Sequence, residues 1–281
     1  MISAISDTAN WVAWYRSLET SRPDPLFRDP FAESLAGTRG KAIAQRMRGL
    51  RDSAGIVAVR TMLIDQIIAD CVAHRGIDTV LNLACGFDTR PFRLDLPARL
   101  RWFDVDGPTI ISQKQAVLEG ASPRCAWQTL VADLADATAR REALNRALQG
   151  AERALVLTEG LLLYLHESQV RELATDLAAQ PACTVWITDL LSAQGRHRAD
   201  QIFKGAFADS QISVQFGPVD GAGFFSQLGF AEVDARSTIQ EAYKLRRLPL
   251  LYHWIFTLAQ LSQRARATLV GSSRVVCMER R

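Results

Sequence analysis

The chain has 281 residues, 48% hydrophobic and 22% charged, with 33 basic against 30 acidic side chains for a formal net charge of +3. This length and balance suit one globular domain, and no apolar run approaches the ~20 residues of a membrane span, so no membrane partner is expected. The basic residues are dispersed except for Arg39 to Arg51 and Arg280-Arg281; the first group reads as a solvated helix face, and a nucleic-acid binder would show a concentrated stripe.

Met1 to Asp7 lacks a basic region followed by an apolar one, so no secretory signal is read and a cytoplasmic location is expected. Five cysteines without a Cys-x-x-Cys pair fit reduced thiols better than a disulfide frame or a metal site, and no metal is expected. Trp11, Trp14 and Tyr15 recur at helical spacing and predict a helix over Ser6 to Glu19, broken by Pro23, Pro25 and Pro30. Helices are expected at Phe31 to Leu35, Lys41 to Met47 and Ser53 to His74, the last with an apolar stripe of Val57, Ile64, Ile67, Ile68 and Cys71.

After Gly76 the pattern changes. Val80, Leu81 and Leu83 suit a strand buried on both faces, which stops at Ala84-Cys85-Gly86-Phe87-Asp88. Gly86 lets the backbone turn sharply and approach a ligand closely. A dinucleotide fingerprint would need three glycines here; one glycine and an acid suit a ligand without a pyrophosphate, such as S-adenosylmethionine, better than NAD.

Three more strands end in acids. Leu100 to Asp106 brings Asp104 and Asp106, where an acid can meet ribose hydroxyls; Ala126 to Val131 leads to Asp133; Ala154 to Thr158 leads to Glu159-Gly160. Helix capping competes for the first two. Asp106 precedes Gly107-Pro108 and a helix from Thr109 to Glu119, and Asp136 is a better cap than Asp133 for Ala137 to Leu148. A fifth strand, Thr184 to Thr188, has Asp189 at its end. The irregular stretch from Leu191 to Gly217 reads equally as a lid or substrate wall and as a helix pair capping the core. A helix at Ala222 to Leu228, a strand at Phe230 to Arg236, a helix at Leu250 to Arg264 and a strand at Ser273 to Met278 complete the series.

The runs Asn82 to Arg90 (NLACGFDTR), Trp102 to Asp106 (WFDVD), Ala132 to Leu134 and Thr158 to Leu165 (TEGLLLYL) resemble, in order and spacing, the leucine carboxyl methyltransferase family, in particular its bacterial polyketide O-methyltransferase branch. The similarity extends from Asp7 to Arg16 and Asp29 to Ala32, through Arg60 to Asp65, to Trp186 to Asp189. It implies a Rossmann-like class I methyltransferase: an α/β fold with a seven-stranded, mostly parallel sheet, an N-terminal helical extension and an insertion after strand five. The whole chain would be one domain, with residues 1–76 covering a core of 77–281 and the insertion at about 191–217. S-adenosyl-L-methionine is the cofactor so implied.

Carried over by residue, the resemblance puts Arg60 on the methionyl carboxylate, Gly86 along the amino-acid end, Asp106 on the ribose, Asp133 and Leu134 at the adenine, and Glu159 near the sulfonium and amino group. The family usually has glycine where this chain has Ala84, and no counterpart is found for an N-terminal lysine that some members use. Tyr164 and Arg90 lie just past strand ends that face such a cofactor and are candidates for contacting the acceptor; packing for Tyr164 and an ion pair for Arg90 are the alternatives. A carboxylate acceptor is already ionised at neutral pH and needs no general base, whereas a phenol would profit from one. His197 reads as surface, His166 as a helix start, and His253 as core or pocket. The expected function is O-methylation of a small-molecule acceptor, a carboxylate of a secondary metabolite ahead of a hydroxyl, with a nicotinamide oxidoreductase and a non-catalytic binding module as competing readings. The sequence does not fix an oligomeric state.

Overall fold

Seven strands form one sheet: β1 (Thr79–Leu83), β2 (Arg101–Asp106), β3 (Ala126–Val131), β4 (Ala154–Thr158), β5 (Cys183–Leu191), β6 (Phe230–Ser237) and β7 (Ser273–Arg280), in the order β3-β2-β1-β4-β5-β7-β6. The first five are parallel to one another and β7 runs antiparallel to both β5 and β6. The computed structural model describes residues 6–46, 53–206 and 212–281. The leader reading over Met1 to Ile5, the expected helix end at Met47, and Arg48, Arg51 and Phe207 lie outside the described residues. The chain builds outward from β1 to β3, then returns to the opposite side of β1. The loops leaving β1 and β4 therefore diverge, and a crevice opens at the carboxyl edge between them.

The helices are α1 (Ser6–Thr20), α2 (Ala32–Arg46), α3 (Ser53–His74), α4 (Arg90–Arg93), α5 (Pro108–Leu118), α6 (Ala137–Leu148), α7 (Glu167–Ala178), α8 (Ala193–Ala206), α9 (Gly223–Ser226), α10 (Thr238–Lys244), α11 (Leu250–Ala259) and α12 (Gln263–Val270). Strand side chains alternate between two cores, as pleating requires. Leu81, Leu83, Val156, Trp186 and Met278 pack with α6, α7 and α9, while Val80, Leu155, Ile187 and Cys277 pack with α3 and α10. A third cluster ties Trp11 and Tyr15 of α1 to Ile43 of α2 and Val57 of α3, so the N-terminal helices sit over one end of the crevice. All five cysteines are buried free thiols.

The boundaries expected for α3, β3, α6 and β4 match those observed. Elsewhere the structure departs from the expectation for local reasons. The two short helices after Pro30 are one helix, α2, bent at Gly37 (φ 57°, ψ −167°). Asn10 Nδ2 donates to the carbonyls of Leu35 and Ala36 at 3.2 and 3.4 Å, so the interrupted ladder is satisfied from α1. The helix expected over Leu250 to Arg264 breaks in two, with Ser262 Oγ capping α12 through Ala265 N–H. Strand β5 continues past Thr188 to Leu191, because β7 pairs along it from Glu279 to Ser273.

Asp104 belongs to the core. Its carboxylate accepts from Lys114 Nζ at 2.7 Å, Trp102 Nε1 at 3.0 Å, Trp127 Nε1 at 2.6 Å and Asn82 Nδ2 at 3.2 Å. Asp104 and Lys114 are both fully buried. This knot fixes β1, β2 and α5 beneath the loop that leaves β1.

Candidate functional site

Two hollows open at the carboxyl edge of the sheet, with volumes of about 610 and 400 Å³. They share Ala84, Asp106, Leu161 and Leu165, so those residues form a neck between connected chambers. The neck is made by an unusual turn. Ala84 and Gly86 both adopt left-handed backbone, with φ of 53° and 49°. The Ala84 conformation costs an L-residue about 1 kcal/mol, which gives a physical reason for glycine at this position. Ala84→Gly should raise stability by about 0.5–1 kcal/mol in chemical denaturation; a loss of stability would show that the Cβ packs usefully in the neck.

Asp106 holds this turn. Its Oδ2 accepts from Gly86 N–H at 2.8 Å and its Oδ1 from Gly107 N–H at 2.7 Å. The N-cap of α5 is Gly107, with no side-chain cap, so capping is not what occupies the Asp106 carboxylate. Burial pushes its pKa up in spite of the two backbone donors. A partly desolvated carboxylate facing both chambers gains from further hydroxyl donors. In the smaller chamber Asp133 and Leu134 form part of the wall, and Asp133 Oδ1 accepts from Ala135 N–H at 2.9 Å. Asp136 is the cap of α6, as its spacing predicts, accepting from Ala139 N–H at 2.8 Å.

In the larger chamber the charges are interlocked. Arg60, on α3, donates from Nε to Glu159 Oε1 at 3.0 Å and from Nη1 to Asp189 Oδ2 at 3.1 Å. Asp189 Oδ1 accepts from Gly160 N–H at 2.6 Å. Glu159 Oε2 is held by Arg90 Nη1 at 2.7 Å. Burial alone would drive the Glu159 pKa up, but Arg90 and Arg60 outweigh it and hold the carboxyl ionised, below its usual range. The structure therefore places Arg60 and Glu159 together in the wall of the larger chamber. Asp189, noted in the sequence only as a strand end, completes the set.

Arg90 is a correction. It is 1% exposed and does not line either chamber. Its guanidinium lies 2.7 Å from Asp65, Asp88 and Glu159 alike. The ion-pair alternative describes it, because three carboxylates leave its fork nothing to offer an acceptor. Asp88 lines the larger chamber yet is tied by this arginine; burial would raise its pKa, but Arg90, Lys114 and Arg93 outweigh that and hold it far below the usual range.

Tyr164 does reach the chamber, from a short 3-10 turn, Leu162–Tyr164. Burial pushes its phenol up to about 12 against the hydrogen bond to Thr8, so it is a neutral hydroxyl. Opposite stands α8, which contributes Arg198, Ala199 and Phe203, while Val214 returns along the same side. Among the described residues the insertion is thus one helix and an extended return forming chamber wall. Arg198 is exposed and has no ion pair among the described residues; no sequence signal had marked it. None of the four histidines lines either chamber: His253 stacks on Tyr243 at 4.4 Å between ring centroids, His197 lies against Gln201, and His166 caps α7.

Residues 9–178 match the family model described as leucine carboxyl methyltransferase. Among curated relatives, a provisionally named S-adenosyl-L-methionine-dependent methyltransferase of Streptomyces avermitilis is 33% identical over 259 residues, 85% of this chain and 87% of that protein. One of Frankia alni bearing the same kind of name is 34% identical over 248 residues, 81% and 83%. A third, from Parafrankia, is 34% identical over a shorter stretch, 62% of this chain and 59% of its own length. Two solved structures share the fold: a DUF574 family protein of Streptomyces avermitilis (TM-score 0.58, 11% identity, 96% of this chain and 97% of that one) and a provisionally titled methyltransferase of Thermobifida fusca (TM-score 0.55, 13% identity, 97% and 94%).

Proposed function

This chain belongs to the leucine carboxyl methyltransferase family, and on that premise we propose that it moves the methyl group of S-adenosyl-L-methionine to a carboxylate of a small, largely apolar secondary metabolite. When bound, the cofactor supplies an electrophilic methyl group. The donor set fits such a ligand: Asp106 at the neck suits a ribose diol, Asp133 and Leu134 an adenine, and the ionised Glu159 an ammonium, with Arg60 for the carboxylate beside it. Asp106→Ala should weaken binding of S-adenosylhomocysteine by about 1.5–3 kcal/mol in calorimetry, the loss for hydrogen bonds to a charged group; unchanged affinity would leave Asp106 only its role in the turn.

The observation that carries the carboxylate reading is the absence of a base from the chamber wall among the described residues. All four histidines are elsewhere, Tyr164 stays protonated, and Glu159, Asp189, Asp88 and Asp106 are bound up with arginines or backbone N–H groups. A hydroxyl acceptor in this chamber has no group to take its proton, whereas a carboxylate arrives without one. Arg198 offers an anionic acceptor a cation, and Trp11, Val12, Leu163, Phe203 and Ile255 offer its body an apolar wall.

With labelled cofactor and a panel of carboxylic acids and phenols, the label should appear in an alkali-labile ester that releases methanol. The rate at saturating cofactor should be flat between about pH 6 and 9, where a carboxylate of pKa near 4 is fully ionised. An alkali-stable ether, with a rate rising about tenfold per pH unit below 7, would establish hydroxyl methylation instead.

A further inference from the structure

The helix α11 carries an apolar face that the fold leaves open. Leu250, Trp254 and Leu258 are 82%, 66% and 63% exposed, and Leu261 just beyond the helix is 86% exposed. With Leu251 they fall on one side of the helix, while Phe256 and Ala259 face inward and are buried. Isolated exposed leucines need no explanation; a continuous stripe of this kind marks a surface that meets something apolar. The charge along this stretch of chain is one-sided, and the acids that approach its start, Glu19 and Asp24, are paired with Arg247. Between Glu241 and Glu279 the chain has no acidic residue, and Arg246, Arg264 and Arg266 stand exposed without an ion pair among the described residues.

We infer that α11 and the basic start of α12 dock onto an anionic lipid surface. Three features select this occupant. The exposed side chains project from one face of the helix, as insertion into a fluid interface requires, and include Trp254, whose ring suits the headgroup level. A second copy packed on α11 about a two-fold axis would set Arg264 and Arg266 toward the Arg246 end of its partner, basic against basic. Anionic headgroups supply the missing charge, and burial of the leucines and Trp254 supplies the hydrophobic part. Tyr252, Ile255 and Phe256, away from the centre of this stripe, line the larger chamber, so docking sets α11 between the chamber and the lipid surface. The chain's hydropathy gave no reason to expect a membrane partner, but it bears only on a span. No helix among the described residues is long and apolar enough to cross a membrane, and a helix lying in the interface needs no such length.

Flotation of the full chain with phosphatidylcholine vesicles containing about 30% phosphatidylglycerol, and with phosphatidylcholine alone, tests this. The wild type should partition to the anionic vesicles and be released by high salt. Trp254→Ser with Leu258→Ser, and separately Arg264→Gln with Arg266→Gln, should each reduce partitioning at least about tenfold, with S-adenosylhomocysteine affinity unchanged as proof of fold. The arginine pair is fully on the surface and keeps the test open should the apolar pair misfold. No flotation, equal flotation on uncharged vesicles, or equal flotation by the arginine variant and wild type would overturn the inference. So would a dimer in sedimentation velocity that the Trp254→Ser, Leu258→Ser variant dissociates without any vesicle binding, which would assign the face to a second copy.

Discussion

Lys114→Met should destabilise the protein by about 3–5 kcal/mol, the cost of leaving a buried charge without its partner. Asp104 and Lys114 are both wholly buried, so no water can replace the ammonium. Burial favours a neutral lysine, but the carboxylates of Asp104 and, beyond it, Asp88 outweigh it and hold the ammonium charged. The remaining donors to Asp104, from Trp102, Trp127 and Asn82, are neutral and cannot compensate its charge. Pairing the change with Asp104→Asn should recover much of the loss, since removing both charges is far milder than removing one. Equal stability of Lys114→Met and wild type in urea denaturation would mean that the buried pair contributes nothing net to the fold.

Arg90→Met should be of similar size, again about 3–5 kcal/mol at neutral pH, and should depend on pH in a defined direction. In the native protein Asp88 and Glu159 have depressed pKa values, lowered mainly by Arg90 against the upward push of burial. Groups of this kind stabilise the fold fully above their unfolded values, near 4, and lose that contribution as pH falls through the folded ones. Without the Arg90 guanidinium, Lys114, Arg93 and a backbone N–H are left to oppose burial at Asp88, so its pKa rises toward that of an unpaired buried carboxyl and protonation relieves the penalty as pH falls. The stability gap between wild type and variant should therefore narrow from about pH 7 toward pH 3. A gap independent of pH would show that Arg90 acts by packing alone. Arg90→Lys keeps one charge but cannot span carboxylates from α3, the β1 loop and the end of β4, so it should rescue only in part.

Arg90 also shows where reading the sequence stops. The strand ends were legible because each is a local pattern, an apolar run closed by an acid, and those ends bring Gly86, Asp106, Asp133 and Glu159 to one edge of the sheet. Helix limits were legible where the cap is local, as at Asp136. What Arg90 does is decided by Asp65 and Glu159, which lie 25 and 69 residues away, and no spacing rule joins them to it. The same holds for Asp104 against Asp106. As alternate residues of β2 they share a face of the strand, yet Asp104 is enclosed by Lys114, Trp102 and Trp127 while Asp106, at the strand's last position, stands in the neck. Arg198 reaches the chamber only because α8 folds back across the sheet edge, a fact absent from its own segment. The short helix α10 went unread because it is seven residues long, too brief for a periodic signal.

The strand order has a consequence for synthesis. The strand made last of the seven, β7, is an interior one, and β6 reaches the sheet only through it. Until Ser273 to Arg280 has emerged from the ribosome, β5 presents an open hydrogen-bonding edge and β6 has nothing to join. Nascent chains of this protein must therefore wait with β5 half paired, a period in which holding factors or rapid completion decide between folding and edge-to-edge association.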